Sequence, residues 1–100
     1  MGEGEFRVLG IDPGSHVTGY GVVAKARCGL CHVLHGEIKP AKGAALTVCL
    51  ETIYDGIREV IRQSAPDALA IEDIFYGKNV KSLIRQGQVR GVAILAGKQG

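Results

Sequence analysis

Apolar positions recur with two different periods along this chain. Val8-Leu9-Gly10-Ile11 is apolar at both parities, as in a strand covered on both faces, and predicts β-structure over 6–12. Pro13-Gly14 then imposes a turn. Further strands are expected over 18–26 and 31–39, and their short connections favour an antiparallel meander. Beyond Pro40 the period changes. Leu46, Leu50, Ile53, Ile57, Val60 and Ile61 recur at helical spacing between charged residues, which predicts an amphipathic helix over 44–63, stopped by Ser64-Ala65-Pro66. Residues 68–71 read as a short apolar strand, and a last helix runs from an N-cap at Asn79 to Gly97. On a helical wheel Val80, Leu83, Ile84, Gly87, Gly91, Ile94 and Leu95 share one arc. Two glycines in that arc weaken the helix, which suggests that another backbone packs closely there.

The order β-β-β-α-β-α is that of a meander followed by a helical crossover. The fourth strand should therefore run parallel to its sheet neighbour. Two helices can cover only part of such a mixed sheet.

Composition narrows the setting. The chain has 100 residues, 46% hydrophobic and 22% charged, as expected of one globular domain spanning 1–100. No run approaches the ~20 apolar residues of a membrane span. The acidic start, Met1 to Glu5, lacks the layout of a secretory signal, and three cysteines cannot all pair within one chain, so a cytoplasmic setting is expected. The net charge of +2 is unevenly spread: residues 74–100 hold Lys78, Lys81, Arg85, Arg90 and Lys98 and no acid. Such a segment suits a polyanion, although a solvated helix face has the same composition.

The candidate chemistry lies at two strand ends. Val8-Leu9-Gly10-Ile11-Asp12 and Ala68-Leu69-Ala70-Ile71-Glu72 are apolar strands that each finish in a carboxylate. If the strands are parallel neighbours, Asp12 and Glu72 share one edge of the sheet. Two adjacent carboxylates call for a cation or a proton, and Mg²⁺ takes one or two carboxylates while keeping several waters. The alternative is that Asp12 caps the turn and Glu72 is a solvated strand end.

A resemblance weighs on that choice. Gly10-Ile11-Asp12-Pro13-Gly14-Ser15 with Thr18-Gly19-Tyr20-Gly21-Val22 resembles the start of the RuvC crossover-junction endonucleases. Ala70-Ile71-Glu72-Asp73-Ile74-Phe75 with Lys78-Asn79, and then the stretch from Gln86 to Val92, are similar to the next motifs of that family, in order. The resemblance implies an α/β, RNase H-like fold: a mixed five-stranded sheet, order 3-2-1-4-5, with helices on both faces. It implies a homodimer that resolves four-way (Holliday) junction DNA by paired symmetric nicks, using Mg²⁺ or Mn²⁺, alongside the RuvA–RuvB branch-migration machinery. Asp12 and Glu72 match catalytic, metal-holding carboxylates, and Phe75 matches an aromatic that meets an unpaired base. Lys78, Lys81 and Arg85 follow Phe75 as phosphate contacts. Family members continue through a fifth strand and a helix with two more acidic ligands, so the 100 residues are expected to be an N-terminal portion, incomplete for catalysis. A second departure is Cys49, where the family pattern has Arg.

Other readings compete. A catalytically silent junction-binding or dimerising module fits the short chain. Gly10-x-Asp12-x-Gly14 is similar to the phosphate loop of actin- and sugar-kinase-type ATPases, where Glu72-Asp73-Ile74-Phe75 would have no role. Cys28-Gly29-Leu30-Cys31-His32, with His35 nearby, has the spacing of haem attachment or half a zinc site. Strand alternation is expected to send those side chains to opposite faces, which argues for an incidental cluster. Ser15, His16 and Thr18 are too close in sequence for a nucleophilic triad, and Arg90 is expected to face a partner or an acid.

Overall fold

The computed structural model describes residues 5–27, 29–72 and 80–100. Strands β1 (Phe6–Asp12), β2 (Thr18–Ala26) and β3 (Gly29–Ile38) precede helix α1 (Leu46–Ser64), strand β4 (Ala68–Ile71) and helix α2 (Val80–Gln99). One sheet has the order β3-β2-β1-β4, the first four places of the expected order. β1 is antiparallel to β2 and parallel to β4, as the crossover requires. β3 begins two residues earlier than its pattern predicts, because Gly29 already pairs with Ala26 across the turn. The Asn79 cap lies outside the described residues.

Alternation divides β1 and β2 cleanly. Leu9 and Ile11 of β1 and Val22 of β2 are buried with Ile53, Ile57 and Val60 of α1 and Val89, Ala93 and Ala96 of α2 in one core. Both helices therefore cover the same face. The opposite face carries Phe6, Val8, Gly10 and Asp12 of β1, and here Phe6 and Val23 are exposed. Among the described residues no helix covers that second face, so the expectation of helices on both faces is met on one side.

Helix α2 turns over relative to its sequence reading. Its buried residues are Val89, Ala93 and Ala96, on the side opposite the predicted arc. Val80, Ile84, Ile94 and Leu95 are exposed, Val80 and Ile84 at 59%, and a side chain added at Gly91 would meet open space. Small residues win the inner face because α2 lies against α1 and close to β4. A Cβ at Gly97 would collide with the Leu69 side chain. The large apolar residues are left outside.

Two local devices fix the crossover. Ala65 ends α1 at φ 46° with its N–H on the Ile61 carbonyl, at a cost of about 1–2 kcal/mol for a non-glycine residue. Arg7 of β1 donates from Nη1 to the last carbonyl of α1, Ser64, at 2.8 Å, and its backbone exchanges hydrogen bonds with Asp67. The start of β4 is thereby registered against β1.

Candidate metal centre and nucleic-acid interface

The register puts Asp12 and Glu72 at one place. Gly10 pairs with Ala70 and Ile11 with Ile71, and the Glu72 N–H donates to the Ile11 carbonyl at 3.0 Å. One residue further on, both strands turn a carboxylate toward the uncovered face, and both are exposed. Neighbouring strands lie ~4.8 Å apart, so one ion could touch both carboxylates. Asp12 and Glu72 line a depression of about 920 Å³ together with Gly10, Gly19 and Gly21 and, from β3, His35 and Glu37. Glu37 lies in the same register row, across Gly19 from Asp12, and pairs with Lys39 at 3.4 Å. Among the described residues no group of three or more His, Cys, Asp or Glu side chains gathers to hold a metal. The donor set is two hard oxygen ligands, which suits a cation that keeps its waters.

Backbone anchors hold each carboxylate's strand end. Thr18, fully buried, donates from its hydroxyl to the Gly14 carbonyl at 2.8 Å and accepts from the Gly14 N–H at 3.2 Å. That pair closes the loop immediately after Asp12. Arg90 donates from Nε to the Glu72 carbonyl at 3.1 Å, so α2 steadies the end of β4. Sequence reasoning placed Thr18 at the start of a strand and in the family motif, set it aside as a nucleophile, and missed its hydrogen bonds to Gly14. Its place four residues after Gly14 was the available signal.

A basic groove adjoins the Asp12 loop. Gly14, Ser15 and His16 form one wall, with Lys81 and Arg85 of α2 opposite. The groove continues past Ser15, His16 and Arg85 to Lys39 and Lys42 on the β3–α1 connection. Lys81 and Arg85 thus fall on one surface, and Lys39 and Lys42, which the sequence reading did not single out, adjoin them. No carboxylate among the described residues lines the groove. Phe75 and Lys78 lie outside the described residues. The Cys28 half of the cysteine–histidine cluster does too, while Cys31 is an exposed free thiol.

Fold and strand edge together define an RNase H-like α/β domain. Its particular place within that class is given by its relatives. The family model for crossover junction endodeoxyribonuclease RuvC matches residues 8–99, and the chain belongs to that family. The crossover junction endodeoxyribonuclease RuvC of Geotalea uraniireducens is 48% identical over 91 residues, covering 91% of this chain and 53% of the relative. That of Thermosipho melanesiensis is 41% identical over 93 residues, covering 93% and 59%. The structure of T. thermophilus RuvC in complex with a Holliday junction substrate superposes with a TM-score of 0.85 at 25% identity, covering 94% of this chain and 58% of that one. An Aquifex aeolicus PPX-GPPA enzyme, at TM-score 0.60 and 15% identity, shares the fold alone. The chain spans about half the length of the curated relatives it matches.

Proposed function

We propose that this chain is the N-terminal portion, 1–100 being a single domain, of a metal-dependent endonuclease that resolves Holliday junctions by paired nicks. The observation that carries the reading is the placement of Asp12 and Glu72 on one exposed face at the ends of adjacent parallel strands. Mg²⁺ or Mn²⁺, when bound there, would act as a Lewis acid and lower the pKa of an attacking water. Asp12 and Glu72 supply the charge that holds the ion, and Thr18 and Arg90 keep their strand ends in register. Lys81 and Arg85, with Lys39 and Lys42 beyond them, grip backbone phosphates without reading sequence. Phe75 and Lys78 extend that contact on the strength of the family resemblance. The partners on this reading are four-way junction DNA, a second copy of the chain and the RuvA–RuvB complex, in the cytoplasm; no helix among the described residues is long and apolar enough to cross a membrane.

The test is nicking of a synthetic four-way junction with Mg²⁺ or Mn²⁺. This chain is run beside one joined to the second half of a curated relative. Symmetric nicks by the longer chain alone support the reading and require ligands from that half. Junction binding by both chains with cleavage by neither favours a silent binding module.

Two further results are expected. Lys81→Ala with Arg85→Ala should weaken junction binding and reduce the slope of log K against log salt by about 2, since each phosphate contact contributes ~0.9. An unchanged slope would remove the groove from the interface. The exposed apolar arc of α2 fits an isologous contact with a second copy. Leu95→Glu should therefore convert a dimer to a monomer in analytical ultracentrifugation, whereas a dimer that persists moves the contact elsewhere.

A further inference from the structure

The uncovered face of the sheet carries a second cluster of metal-ligating groups, of different chemistry, at its far edge. In β3, Leu34 pairs with Val22 and His32 pairs with Val23, so Val33 is an extra residue with no partner across the ladder. This is a β-bulge. It changes which side chains can meet. Residues three apart in a regular strand point to opposite faces, whereas here His35 lies opposite Gly21 and His32 opposite Val23, two positions of equal parity in β2. The two imidazoles are thus brought onto one face. His32 Nε2 lies 2.8 Å from His35 Nδ1, the ring centroids are 4.9 Å apart, and both residues are exposed. Cys31 pairs with Ala24, whose side chain is buried in the core, so the thiol belongs to the other face.

We propose that His32 and His35 form a bidentate site for a first-row transition ion that favours imidazole nitrogen, such as Ni²⁺ or Cu²⁺. The two nitrogens now share a hydrogen bond, and the donating ring must shift its proton to its other nitrogen before both lone pairs can face an ion. Metal–imidazole bonds of ~2.0 Å place two ligating nitrogens about 2.8–3.3 Å apart, so the rings need only turn, not move apart far, to chelate. The imidazole pair borders the depression that holds the carboxylates, since His35 lines it along with Asp12 and Glu72. His35 stands two strands across from Asp12 and two residues along, which is on the order of 12 Å between Cα atoms. The ligand chemistry differs, since hard Mg²⁺ favours oxygen and has little use for a pair of imidazoles. The proposal does not depend on the nuclease reading.

Titration of the intact chain with NiCl₂, followed by calorimetry and by the histidine ring signals in NMR, tests it. One Ni²⁺ per chain should bind, shifting or broadening the rings of His32 and His35 and sparing His16. His32→Ala and His35→Ala should each weaken binding at least about tenfold, because loss of either donor ends the chelate and its effective concentration. Both positions are exposed, so neither variant threatens the fold. MgCl₂ at the same concentration should leave the rings unmoved. Equal affinity in the parent and both variants would overturn the proposal. So would a loss confined to Cys31→Ser, which would assign the ion to the thiol.

Discussion

Replacing Asp12 by Asn is expected to abolish junction nicking by a chain joined to the second half of a curated relative, while junction binding changes little. The substitution keeps size and shape and removes the charge that a hard cation needs. Asp12 is exposed and makes no ion pair among the described residues, so no core contact is lost with it. Groups that only orient metal ligands are worth about 10–100-fold in affinity or activity, and a direct ligand should exceed the upper figure. Glu72→Gln should behave alike. Loss of binding and folding together would show that Asp12 supports the loop after β1 rather than holding an ion. The comparison is clean because Thr18, not Asp12, closes that loop in the structure.

Ile53→Ala is expected to be the most damaging of the α1 truncations. Ile53 is fully buried within the cluster that joins α1 to Leu9, Val22 and Val89. Large-to-small changes at such sites cost ~2–5 kcal/mol, against a total stability of about 5–15 kcal/mol for a domain. Urea unfolding should show a midpoint shifted far down with little change in slope. Val48→Ala on the same helix, where Val48 is 48% exposed, should stay within about 0.5 kcal/mol of the parent. Equal losses at the two positions would mean that α1 does not rest on the sheet through this stripe.

The contrast between those two positions was legible before the structure, because a long helix with one apolar stripe has few ways to pack. The strands over 6–12, 18–26 and 68–71 were legible to the residue, since apolar runs bounded by turn residues leave little choice of register. The carboxylate pair was legible for a related reason: a helical crossover forces the two strands parallel, and each ends in an acid. Helix α2 was misread. A wheel that weights large apolar residues selects Ile84 and Leu95, whereas close packing of helix on helix selects Val89, Ala93 and Ala96. The bulge at Val33 carries no glycine or proline to announce it, so the meeting of His32 with His35 was not legible. Lys39 and Lys42 join the basic groove only through the path of the β3–α1 connection, which no local pattern encodes.

The central claim is that Asp12 and Glu72 together hold one divalent cation on the uncovered sheet face. Paramagnetic broadening by Mn²⁺, followed in the amide NMR spectrum of this chain, tests it most directly. The account predicts broadening centred on Asp12 and Glu72, fading along β1 and β4, and lost in both Asp12→Asn and Glu72→Gln. Broadening centred elsewhere, or unchanged by either substitution, would contradict it.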